Sequence, residues 1–196
     1  MDVVPAVPPL GKGFDAVSEI ARRRAQGWNT FARAFSAPSL DWVAELRGGL
    51  VRKCLELAIG WREGELSDFG APILTLGAFE RSSRRRALEL DFDRLTTAFG
   101  ELATVASLEA AGGACELLHR LCAEEAVAWE SGVLRRARDL RLRQSQELRG
   151  DVGQVLSVVC AELVDRNPRQ PYLALGQLGR VWVERERAGS SFASGA

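Results

Sequence analysis

Between Ala114 and Arg187 four helical patterns follow one another with connections of only a few residues, at Gly132, at Gly150-Asp151 and over 167–171. Links that short make each helix double back on its predecessor, so the stretch reads as a bundle. On an ideal helix Ala114, Leu117, Leu118, Leu121, Cys122, Ala128 and Trp129 form one wide apolar arc, with Glu125 near its centre. An acid there needs a partner. A salt bridge or hydrogen bond to a neighbouring helix is the expectation, and a role in gripping a bound protein is the alternative. The next helix puts Val133, Ala137, Leu140, Gln144 and Leu148 on one face, which makes Gln144 a polar contact inside the bundle. In the last pair, about 152–164 and 172–187, Val155, Leu156, Val159 and Leu163 are placed to face Leu175, Leu178, Val181 and Trp182.

The N-terminal part is also helical in pattern. Val17, Ile20, Ala21, Trp28, Phe31, Ala32 and Phe35 recur at three- and four-residue steps, predicting a long helix from about Phe14 to Phe35. Arg24 falls within that stripe and is expected to snorkel to the surface, with an acidic partner as the alternative. Pro38 stops the helix, Ser39 caps the next, Asp41 suits its positive end, and Gly48-Gly49 closes it. A third helix begins near Leu50, with Val51, Cys54, Leu55, Ala58 and Trp61 on its apolar face. Ile73 to Phe79 is too short to classify. Ser82 or Ser83 then opens a helix carrying Leu88, Phe92, Leu95 and Phe99 on one side, ended by Gly100. The weak pattern from Gly100 to Gly113, with its Gly112-Gly113 pair, predicts a central hinge over 100–113. The expected fold is all-α, a single bundle of about eight helices over 13–188, with disordered tails at 1–12 and 189–196.

Composition excludes several classes of partner. The chain has 196 residues, 46% of them hydrophobic, enough for one good-sized core. Arginine supplies 24 of the 26 basic residues, and 26 acidic residues balance them, so no global field draws nucleic acid or anionic lipid. No window approaches the roughly 18 unbroken apolar residues that span a membrane. Asp2 and the early prolines interrupt anything like a secretory signal. The expectation is a soluble cytoplasmic protein. Arg81, Arg84, Arg85 and Arg86 form the densest basic cluster, read as a solvated face or a partner surface.

Catalytic signatures are missing: there is no P-loop, no GxGxxG opening a helix, no GxSxG, no HExxH and no histidine pair. Glu124 and Glu125 are adjacent on a helix and point about 100° apart, so they do not converge on one reacting atom. The chain is expected not to be an enzyme and to use no cofactor. Cys115, His119 and Cys122 lie at i, i+4 and i+7, which would place three metal-ligand types on one face. That spacing is equally the spacing of a packing stripe, His119 is the only histidine, and a fourth ligand is wanting. Packing is therefore expected, with no metal, and buried reduced thiols at all four cysteines.

Trp28, Phe31, Ala32, Phe35 and Pro38, followed by Trp42 and Leu46, form an aromatic-rich opening. Asp91-Phe92-Asp93-Arg94-Leu95 is an acid-aromatic-x-x-Leu motif. Glu116-Leu117, Glu125-Ala126, Ala128, Gly132, Ala137, Gln144, Pro168 and Tyr172 then follow in order. Together these landmarks resemble the TorD-like family, all-helical cytoplasmic chaperones that mature molybdenum-containing oxidoreductases. The chain departs from the family pattern at Thr96, where phenylalanine is usual, at Glu109-Ala110, nearest to Glu-Ser, and at Ala111-Gly112, where Asp-His is expected. Glu147, Asp151 and Val155 stand where phenylalanine, histidine and tryptophan are common.

The resemblance implies a protein that holds the apo form of a molybdenum-containing oxidoreductase subunit, and often its twin-arginine signal peptide, until the cofactor is inserted. On this reading a groove beside 100–113 takes an apolar client segment, with Phe92, Leu95 and Phe99 as anchors. Asp91 or Glu109 meets client arginines, and His119 joins the same partner-binding set. The alternative is a structural or adaptor subunit that keeps the fold and has lost client handling.

Overall fold

The aromatic stripe of the N-terminal part becomes helix α1, Lys12–Ala34, in the computed structural model, which describes residues 12–36, 39–59, 105–166 and 172–191. Helix α2, Leu40–Arg47, begins where the serine predicts it. Ser39 is extended, and its Oγ accepts a hydrogen bond from the Trp42 backbone N–H at 3.0 Å, with Asp41 in the first turn. Gly49, at φ +92°, then turns the chain into α3, Leu50–Ile59. The remaining helices are α4, Val105–Glu130, α5, Leu134–Arg149, α6, Asp151–Arg166, and α7, Tyr172–Ser191. The fold is all-α: seven helices and no strand among the described residues.

Gly132 shows why α4 stops where it does. It adopts φ +71°, a region glycine enters without strain. The Gly132 N–H donates to the Trp129 carbonyl at 3.1 Å and the Val133 N–H to the Ala128 carbonyl at 2.9 Å. This paired closure satisfies carbonyls that the helix end would otherwise orphan.

Two expectations are corrected. The joint predicted at Gly112-Gly113 is the interior of α4, which runs unbroken from Val105 to Glu130. A Cβ on Gly112 would lie 3.7 Å from the Ala32 carbonyl oxygen and 3.9 Å from that of Phe35. A side chain there would make only ordinary contact with the α1 backbone, and Ala111 beside it is fully buried. The weak periodicity marks a close helix contact rather than a break. The tail predicted from Gly189 is helical as far as Ser191, and Arg141 Nη2 reaches the Gly189 carbonyl at 3.5 Å. The parts of the hinge and tails at 1–11, 100–104 and 192–196 lie outside the described residues, as do the predicted helix from Ser82 to Gly100 and the arginine cluster.

Helix α1 runs antiparallel along α4, since Ser18 meets Glu130, Ala25 meets His119 and Ala32 approaches Gly112. Helices α6 and α7 pack closely through two glycines one turn apart. A Cβ on Gly176 would stand 2.7 Å from Leu163 Cβ, and one on Gly179 2.7 Å from Cys160 Sγ. The predicted faces meet here: Leu156, Val159 and Leu163 share one core with Leu175, Leu178 and Trp182. That core also holds Trp28, Phe31 and Phe35 from α1, and Tyr172 stacked on Trp42 at 5.8 Å. A smaller cluster of Leu121, Ala128, Ala137 and Leu140 joins α4 to α5.

Candidate functional site

Of the residues the sequence nominates for partner binding, Asp91, Phe92, Leu95 and Phe99 lie outside the described residues. Glu109 is exposed on the outer side of α4. His119 is half-buried and faces the opposite neighbour, with Nδ1 2.8 Å from the Ala25 carbonyl oxygen of α1. Ten residues separate the two along α4, about 15 Å of helix, and they point about 80° apart. The structure therefore does not bring Glu109 and His119 together. His119 is a tie between two helices.

The concentration of polar chemistry lies elsewhere, in the interior. Arg24 sits in the α1 stripe among buried aromatics and does not snorkel. Its Nε donates to Glu186 Oε2 of α7 at 2.8 Å, and its Nη1 donates to Glu125 Oε2 of α4 at 3.2 Å. Gln144 of α5 donates from Nε2 to the same Glu125 oxygen at 2.9 Å and accepts from the Cys122 thiol at 3.4 Å. Trp129 Nε1 donates to Glu125 Oε1 at 3.3 Å, and Arg141 stands at the edge with Nη1 3.9 Å from Glu125 Oε2. Arg24, Glu125, Gln144 and Glu186 are all buried. One guanidinium thus gathers carboxylates from two helices, and an amide carries the network to a fourth.

The electrostatics follow from burial. Loss of water alone would lower the Arg24 pKa, but Glu186, Cys122 and Glu125 together outweigh it, and the guanidinium is held more firmly charged than usual. The Cys122 thiol is pushed up to about 12, first by burial, which the nearby Arg24 opposes and Glu186 and Glu125 reinforce. Burial likewise pushes Cys160 up to about 12. Cys54 and Cys115 are also raised by burial, and Cys115 further by its neighbours Cys160 and Cys54. These are protonated, unreactive thiols in a core.

Chemically, the network fixes charges and does not expose them. Both carboxylates are engaged by Arg24, so neither stands as a free base beside a cleft. Cys115 and Cys122 are fully buried, and no group of three or more metal-ligating side chains that could hold an ion occurs among the described residues. No helix among them is long and apolar enough to cross a membrane.

Sequence reasoning located Glu125 and Gln144 as polar residues on apolar faces. It missed Glu186 and misplaced Arg24. The signal for Glu186 was present: it continues the stripe of Leu175, Leu178 and Trp182 by four further residues. A charged residue on such a stripe in α1, α4 and α7 alike is the mark of a shared buried site.

No family model matches the chain, and no curated protein or solved structure matches it.

Proposed function

We propose that this chain is a non-catalytic, protein-binding helical module that acts as a maturation chaperone in the cytoplasm. Its client is the apo form of a molybdenum-containing oxidoreductase subunit, with that subunit's twin-arginine signal peptide where it has one. The reading rests on the resemblance to TorD-like chaperones. Its support in this structure is that several landmarks of the C-terminal half, Glu125, Gln144, Ala137 and Tyr172, are residues that fix the helices to one another. Glu125 and Gln144 are joined at 2.9 Å, Gly132 closes α4, Ala137 is fully buried between α4 and α5, and Tyr172 stacks on Trp42.

The test is affinity capture from the native host with this chain as bait, followed by mass spectrometry and a molybdenum-cofactor assay of whatever is bound. Recovery of a single cofactor-free catalytic subunit is the expected result. Failure to recover any such subunit overturns the reading.

One observation favours a second reading, a structural or adaptor subunit. Where the family pattern has an Asp-His pair, this chain has Ala111 and Gly112, which are packed against α1 and offer no polar group to a client. Capture only within a mature, cofactor-loaded complex selects this alternative.

A further inference from the structure

Helix α5 is held to the bundle unequally along its length. Its C-terminal end is pinned: Leu148 is fully buried in the main core, and the Leu148 carbonyl accepts from Arg187 Nε of α7 at 2.9 Å. The part before it, 134–145, has no such anchor. Its buried apolar side chains are Ala137 and Leu140, which meet Leu121 and Ala128 in the small satellite cluster rather than the main core. The deepest contact of this part is polar, with Gln144 donating to Glu125 at 2.9 Å and accepting from Cys122 at 3.4 Å. Arg141 stands near the limit of bonding distance, 3.9 Å from Glu125 and 3.5 Å from the Gly189 carbonyl.

The start of α5 is also weak as a helix. Val133 occupies the N-cap position and offers no side-chain hydrogen bond. The first turn holds Arg135 and Arg136 and no acid, where the backbone N–H groups already concentrate positive charge. Gly132, at φ +71°, places a turn just before it. The contrast is with α6 and α7, which share Leu156, Val159, Leu163, Leu175, Leu178 and Trp182 in one core. Freeing 134–145 therefore gives up a small apolar cluster and a polar contact whose members both regain water. Glu125 keeps Arg24 of α1, so no buried charge is left alone.

We propose that residues 134–145 form a latch that opens as a unit while α1, α4, α6 and α7 stay folded. Gly132 is its hinge and Leu148 its fixed end. Opening uncovers Leu121 and Ala128 of α4 and admits water to Glu125 and Cys122. The latch is independent of the maturation reading, because its opening requires no client.

Native-state hydrogen exchange of the full chain, followed by mass spectrometry in rising sub-denaturing urea, tests this. The helix-bonded amides of 138–145 are expected to exchange at least about tenfold faster than those of α6 and α7, with a smaller dependence on urea. Cys122, which is bonded to Gln144, is expected to react with a thiol reagent ahead of Cys54, Cys115 and Cys160. Leu163→Val loosens the contact with Gly176 of α7, which stays packed in the opened form. It should speed exchange in α6 and α7 about fivefold and leave 138–145 unchanged. Val133→Asp supplies a cap and an acid at the start of α5, and should slow exchange of 138–145 about threefold to tenfold. The proposal is overturned if 138–145 exchange together with α6 and α7, or if Leu163→Val speeds both alike. Exchange indifferent to Val133→Asp, or a Cys122 labelled no sooner than the other thiols, overturns it as well.

Discussion

Arg24 is the residue on which the interior electrostatics turn, because two buried carboxylates depend on it. Removing one partner of such a group leaves uncompensated charge in the core. Arg24→Met is therefore expected to cost about 3–5 kcal/mol, read as a lower urea midpoint. Replacing the acids as well, in Arg24→Met/Glu125→Gln/Glu186→Gln, should recover much of that loss, since the charges then leave together. A single substitution that left the midpoint unmoved would mean that water reaches the network. Glu125 was legible as a residue in need of a partner because it interrupts an apolar arc. Arg24 was not, because a long side chain can escape a stripe and its acceptors lie 101 and 162 residues away in the sequence. The thiols give a pH signature of definite sign. Cys122 and Cys160 have an ordinary value of 9.0 and are raised to about 12 in the fold. Their contribution to stability is fully present below pH 9.0 and is lost as pH rises towards about 12. Thermal midpoints measured across alkaline pH should fall in that window, and less steeply in Cys122→Ala/Cys160→Ala.

At the level of helices, glycine means opposite things at different places. A Cβ on Gly27 would stand 2.4 Å from the Trp182 ring, so Gly27→Ala is expected to destabilise by about 1–3 kcal/mol through overpacking. Gly113 has nothing within 4 Å of its Cβ position and lies inside α4, so Gly113→Ala should stabilise by about 0.5–1 kcal/mol. Guanidinium denaturation of the two variants checks both signs. A Gly113→Ala variant that lost stability would restore the idea of a joint there. Ser39, the start at Leu50 and the turn at Gly132 were readable because caps and turns are local chemistry. The Gly112-Gly113 pair was misread because Gly112 faces α1, and periodicity within α4 carries no record of that neighbour.

For the whole molecule, the helical class and the pairing of α6 with α7 were legible because apolar faces of matching period have to cover one another. The residues nominated for partner binding were harder to place. Glu109 and His119 share a helix, but the side chain that looked available is tied to the Ala25 carbonyl, a contact only the assembled bundle creates. Surface charge gives a further test of assembly. Glu130 is held below its ordinary value of 4.5, first by the Ser18 hydroxyl and then by Arg22. Its contribution is present above that value and is lost as pH falls through its lowered pKa. Ser18→Ala should move the Glu130 titration upward, as followed by carboxyl NMR, if α1 lies along α4 as described. The bond between Arg24 and Glu186 spans 162 residues, and that span is also an interval of time. At typical rates of synthesis, Arg24 leaves the ribosome on the order of ten seconds or more before Glu186 is made. Until then Trp28 and Phe31 lack the Trp182 ring they pack against. A newborn copy of this protein must therefore pass through a sticky, half-assembled stage and is itself a natural customer for the cell's general folding machinery.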